Sequence, residues 1–239
     1  EKIGEIDASV HGTDGLGGAK ITDATSKPTE LSAVELIAKT LKESDEKVTL
    51  VPTGPLTNIA IFLMAYPEIH NKIERIVLMG GAALGGNMTP TSEFNIGVDP
   101  EAAHIVFKSG IDIVMLGLDV THRALTYANE VEDIKKIGNN ASQFIGDALG
   151  FYFEHETKGA GLEGCPIHDA CTIAYLLEPY MFTKYPCHET LDIDGKYTRG
   201  CTVTDLHNVT GREPNANVVM DVDRERVAKL LYDSISKLN

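Results

Sequence analysis

The 239-residue chain is short of positive charge: 21 Lys and Arg stand against 35 Asp and Glu, a formal net charge of -14. A surface that tracks phosphates needs the opposite sign, so polymeric nucleic acid is not an expected partner. The four cysteines, Cys165, Cys171, Cys187 and Cys201, form no CxxC pair, which argues against a zinc ribbon or a thioredoxin-type site. In a domain of this size they read as free thiols of a reducing compartment. No uninterrupted apolar run reaches membrane-spanning length, and Glu1-Lys2-Ile3-Gly4 does not resemble a signal peptide. The expectation is a cytoplasmic protein with no membrane partner. Low-complexity linkers and internal repeats are also missing. A GxGxxG turn at a strand–helix junction is absent too, which with the acidity disfavours a generic nucleotide binder.

What is present is enough for a sizeable core. Hydrophobic residues make up 43% of the chain and charged ones 23%, as expected of one ordered domain over 1–239. Val48 to Val51 and Arg75 to Met79 read as buried strands, and Asp112 to Leu118 as a β-branched one. Helices are expected from about Leu56 to Tyr66, with Pro55 in the first turn, and from Asp99-Pro100-Glu101 onward, a cap–proline–acid start. Apolar strands separated by helices predict an α/β fold: a mostly parallel sheet covered on both faces, with ligands at its carboxyl edge. Helices follow over Glu130 to Gly138, Ala141 to Glu156 and from about His168. Short alternating segments (Thr190 to Ile193, Cys201 to Leu206, Asn217 to Met220) suggest a C-terminal strand ribbon, closed by a helix from Arg224.

Two stretches carry chemistry. Ser92-Glu93-Phe94-Asn95 follows a glycine-rich turn and offers a carboxylate and a carboxamide from neighbouring positions. His168-Asp169 sets a titratable ring beside a carboxylate at the head of an apolar helix. Sugars need such clustered donors and acceptors, and cleavage of an N-glycosidic bond needs an acid near the departing base.

These stretches, with His11-Gly12-Thr13-Asp14-Gly15-Leu16-Gly17, Val51 to Asn58, and Met79-Gly80-Gly81 through Gly86-Asn87-Met88-Thr89-Pro90 to Asn95, resemble the inosine-uridine nucleoside hydrolase family. The family's fold is Rossmann-like. The resemblance spans essentially the whole chain, and the GNxTPxxEFN run is its most specific part. It implies hydrolysis of the N-glycosidic bond of ribonucleosides, purine or pyrimidine, giving ribose and a free base, with Ca2+-activated water and a histidine acid. His168 before Asp169 resembles the broad or pyrimidine-leaning branch. The family's opening DTDPGxDD loop and the βα unit after it have no counterpart. The chain is therefore expected to be incomplete at its amino end, with its Ca2+ site short of carboxylates.

By the same resemblance, His168 is the acid, and Asn87, Glu93, Asn95, Met79 and Asp169 hold ribose. His11, Tyr152 and His155 face the base, while the Thr53 carbonyl and Asp169 ligate Ca2+. Plain readings stand beside these: a turn-former for Asn87, core packing for Met79, an N-cap for Asp169, an ordinary loop or helix surface for His11, Tyr152 and His155. Asp14 and Asp99 read as a turn and a cap. The partner is a small nucleoside, and a homo-oligomer or a complementing amino-terminal fragment is expected to cover the exposed sheet. The rival reading is a catalytically inactive nucleoside- or ribose-binding remnant.

Overall fold

The structure is a computed structural model that describes residues 8–21 and 26–238. Glu1 to Gly4, where the family resemblance begins, lie outside the described residues. The chain divides into two compact units: residues 28–121 with 168–222, and residues 1–27 with 122–167 and 223–239. In chain order the strands are β1 (Val48–Leu50), β2 (Ile73–Met79), β3 (Ile113–Leu116), β4 (Leu125–Thr126), β5 (Cys165–Pro166), β6 (Phe182–Cys187), β7 (Glu189–Leu191), β8 (Thr202–Thr204) and β9 (Ala216–Val222).

The larger unit is built on a five-stranded sheet in the order β1-β2-β3-β9-β6. The first four strands are parallel, and β6 pairs antiparallel to β9 at one edge. Every residue of β3 and the last four of β2 are buried, which explains their uninterrupted apolar sequences. Their register pairs Ile76 with Ile113 through Met79 with Leu116. The two strands therefore end side by side, and their loops open on the same rim. Helices cover the sheet. Ala33–Glu43 starts at a capping box in which Ser32 and Glu35 satisfy each other's backbone amides. Thr57–Ala65 buries Ile59, Ala60, Phe62 and Leu63, and Pro100–Phe107 buries Ala102, Ala103, Val106 and Phe107. Asp99 caps the latter through Ala102 N–H at 3.1 Å, with Pro100 at its first position, as expected.

Three expectations need adjusting. Leu56 is the N-cap of the Thr57–Ala65 helix, so Pro55 precedes the cap instead of entering the first turn. The helix after His168 begins at Ala170. The strand ribbon is formed by β7 and β8, which pair antiparallel, while the third tail segment, β9, enters the main sheet beside β3.

The smaller unit contains the short helix Ala8–His11, helices Ala128–Lys136, Asn140–His155 and Arg224–Ile235, and the β4–β5 pair. The Asn140–His155 helix ends in one π-helical turn, Glu156–Ala160. Arg224 ties the unit together: its Nη1 donates to both oxygens of Glu130, at 2.8 and 2.9 Å, and to the Leu125 carbonyl at 3.2 Å. No described helix is long and apolar enough to cross a membrane.

Candidate functional site

The β2 strand ends at Met79, and two glycines with positive φ, Gly80 and Gly81, turn the chain back. Residues 85–92 then form a tight loop in which the amides of Asn87, Met88 and Thr89 all donate to the Ser92 carbonyl. That loop delivers Glu93 into the protein. The side chain is 3% exposed, and its Oε2 accepts from Gly81 N–H at 2.9 Å and Ile96 N–H at 3.1 Å. The second of these bonds also caps the short Phe94–Val98 helix. Burial pushes the Glu93 pKa above the ordinary carboxylate value, against the pull of the Asn95, Gly81 and Ile96 amides, and the charge on Asp169 adds to the rise. The two carboxylates are therefore close enough to repel.

Asn95 gathers the ends of two strands. Its Nδ2 donates to the Met79 carbonyl at 3.1 Å, lies 3.3 Å from the Met79 sulfur, and reaches the Thr53 carbonyl at the 3.5 Å limit. Met79 is thus both core and site: its side chain is buried while its carbonyl faces Asn95. Asn87 is exposed, and its Oδ1 accepts from Phe94 N–H at 2.9 Å, which leaves its carboxamide nitrogen as the donor end. Asp169 makes no side-chain cap to the Ala170–Leu177 helix; Thr172 Oγ1 donates to its carbonyl instead, at 2.6 Å. Capping therefore does not account for its carboxylate. His168 Nδ1 lies 2.7 Å from Thr121 Oγ1, which fixes the plane of the ring. Within the larger unit, then, Thr53, Met79, Glu93 and Asn95 are in contact or linked by one residue, and Asp169, next to His168, is electrostatically coupled to Glu93.

The smaller unit places the three base-side candidates near one another. His11 stacks on Tyr152 with ring centroids 5.5 Å apart and planes at 29°. His155, one turn along the same helix, has its Nε2 4.0 Å from Glu156 Oε1. Asp14 is a turn residue as expected: its Oδ1 accepts from Leu16 and Gly18, which lowers its pKa.

Three residues of the larger unit escaped the sequence reading. Thr121 orients His168. Asp119 accepts from the Ala83 and Leu84 amides at 2.7 and 3.0 Å, and Thr202 bonds both backbone groups of Ala82. No spacing rule links these positions, since Thr202 lies 120 residues from its partner.

Among the described residues no group of three or more His, Cys, Asp or Glu is placed to hold a metal. The Thr53 carbonyl and the Asp169 carboxylate would supply two ligand groups, well short of the six to eight oxygens Ca2+ takes. These residues do not fit the ion by themselves.

The model of the inosine-uridine preferring nucleoside hydrolases matches residues 2–229. The chain belongs to that family. It is 50% identical over 228 residues to the pyrimidine-specific ribonucleoside hydrolase RihA of Escherichia coli K12, a match covering 95% of this chain and 73% of RihA. Among solved structures it resembles the purine-preferring ribonucleoside hydrolase from Gardnerella vaginalis, with TM-score 0.88 and 36% identity over 96% of this chain and 73% of that one. A plant nucleoside hydrolase superposes with TM-score 0.89 at 30% identity, covering 98% of this chain and 76% of its own. The family is one of hydrolases, and the mostly parallel sheet flanked by helices is its fold.

Proposed function

We propose that the larger unit grips the ribose of a nucleoside and that His168 donates a proton to the departing base. The observation that carries this reading is the convergence of Glu93, Asn95, Met79 and Thr53 on one sheet rim, with Asp169 close enough to raise the Glu93 pKa. Glu93 and Asp169 would accept from sugar hydroxyls, and Asn87 would donate. Thr121, 2.7 Å from His168 Nδ1, orients the ring that serves the base. The C1′–N bond breaks with its electron pair leaving on the base, which takes the proton from His168, while the oxygen of water bonds C1′ and gives up one proton to solvent, from which His168 is reprotonated. Pyrimidine ribonucleosides are the first substrates to try, because the half-identical relative is named for them. Cytoplasmic residence is proposed from the four free cysteines, three of them buried.

Uracil release from uridine, followed by chromatography, tests the chemistry. His168→Ala should lower it by about 10²–10⁴, the usual worth of an acid catalyst, and Thr121→Val should lower it less. Unchanged release in both variants would rule His168 out. A second reading, sugar binding without turnover, is favoured by the thin oxygen set for Ca2+ among the described residues. Calorimetry on the unmodified chain separates the two: ribose binding that Glu93→Gln abolishes, without uracil release and without Ca2+ uptake tighter than about millimolar, would establish the binder.

A further inference from the structure

The segment that follows β2 is held almost entirely by side chains. Four consecutive amides, Gly81 to Leu84, find side-chain acceptors: Gly81 on Glu93 Oε2 at 2.9 Å, Ala82 on Thr202 Oγ1 at 2.9 Å, Ala83 on Asp119 Oδ2 at 2.7 Å and Leu84 on Asp119 Oδ1 at 3.0 Å. The Thr202 hydroxyl also donates to the Ala82 carbonyl at 2.8 Å, so a single buried hydroxyl closes both backbone groups of one residue. The Gly81 carbonyl accepts from Leu118 N–H at 2.9 Å, which brings the Asp119 backbone against the same segment. Close packing leaves no slack: a Cβ on Gly117 would stand 2.5 Å from the Gly81 carbonyl oxygen. Among the described residues no strand pairs with Ala82–Leu84, and without these side chains the buried amides would lack acceptors. Leu84 shows the contrast, with a side chain 75% exposed on a backbone pinned from behind.

We propose that Asp119 and Thr202 are positioning residues of the sugar site, holding Gly81–Leu84 in the one conformation that aims the Gly81 amide at Glu93 and so fixes the direction of its carboxylate. Neither touches the sugar. The inference rests on Glu93 being a ribose ligand, since a carboxylate buried for any other purpose would not need aiming. Glu93 reaches its place on a loop, and loops alone hold a side chain less exactly than strands or helices do. Two residues from elsewhere in the fold, one on β8 and one on the Leu118–Thr121 helix, supply the missing rigidity.

Two measurements test this on the full chain: the Gly81 amide resonance by NMR, and D-ribose affinity by calorimetry. An amide bonded to a carboxylate resonates downfield. Asp119→Ala and Thr202→Val should each move the Gly81 proton upfield, though neither residue bonds it, and weaken ribose binding about tenfold, the scale of one lost hydrogen bond. Thr202→Ser, which keeps the hydroxyl, should retain both the resonance and the affinity. If Asp119→Ala does not fold, Asp119→Asn, with one acceptor left, takes its place. A Gly81 resonance unmoved in the Thr202→Val and Asp119 variants would overturn the proposal whatever ribose does. A resonance that moves while the unmodified chain binds no ribose would support the clamp and sink the sugar reading of Glu93 instead.

Discussion

Glu189 on β7 is 2% exposed, and neither carboxylate oxygen has a hydrogen-bonding partner of good geometry among the described residues. Thr204 faces it across the hairpin, near enough to pull the pKa down somewhat without completing a well-formed bond. Burial dominates, and with the charge of Asp119 it raises the pKa to about 7. The sign follows from linkage. A pKa higher in the folded than in the unfolded chain contributes stability that is complete below the unfolded value and is lost as pH rises through about 7. From the ordinary carboxylate value the rise corresponds to about 3 kcal/mol. Thermal unfolding should therefore move to lower temperature between pH 5 and pH 8.5, and Glu189→Gln should flatten that slope. Parallel slopes for the two proteins would show that Glu189 ionises freely in the fold. Such a residue could not be singled out by reading the chain, because Glu189 looks like any acid in an alternating strand.

Elements differ in how plainly they are written. The β3 strand and the last four residues of β2 are legible because both their faces are buried, so each of those positions is apolar. Asp99-Pro100 is legible because a cap is a local event, settled within four residues. The β6 strand is not, since its four middle residues are exposed and only its ends, Phe182 and Cys187, are buried. Pairing with β9 makes it a strand, and that partner lies some thirty residues on. The site divides the same way. Glu93, Asn95 and His168 stand out by residue type and family resemblance, whereas Thr121, Asp119 and Thr202 do their work through contacts that only the fold creates. The β2–helix turn gives a test at this scale. Gly81 has φ +78°, and a Cβ there would meet the Met115 sulfur at 2.9 Å and Thr202 Cγ2 at 3.0 Å. Gly81→Ala should cost about 1–3 kcal/mol in denaturant unfolding, from left-handed strain and crowding together. An unchanged midpoint would mean the turn relaxes into another conformation.

At the scale of the whole molecule the sheet has two different margins. One is β6, which carries Lys184 and Pro186, two devices that discourage a further strand. The other is β1, only three residues long, with β2 as its one sheet neighbour among the described residues. Beside it in sequence, the Thr57–Ala65 helix exposes Ile61 and Met64. A strand with one edge open, followed in sequence by exposed apolar side chains, seeks cover, so sedimentation of the purified chain should show species heavier than one copy. A single monomeric boundary at micromolar concentration would refute this. The asymmetry of the margins also limits how far such association can run. If two copies meet through β1, each uses up the other's sole receptive border, and the opposite border refuses newcomers. Growth then halts at a closed pair instead of running on into a fibre.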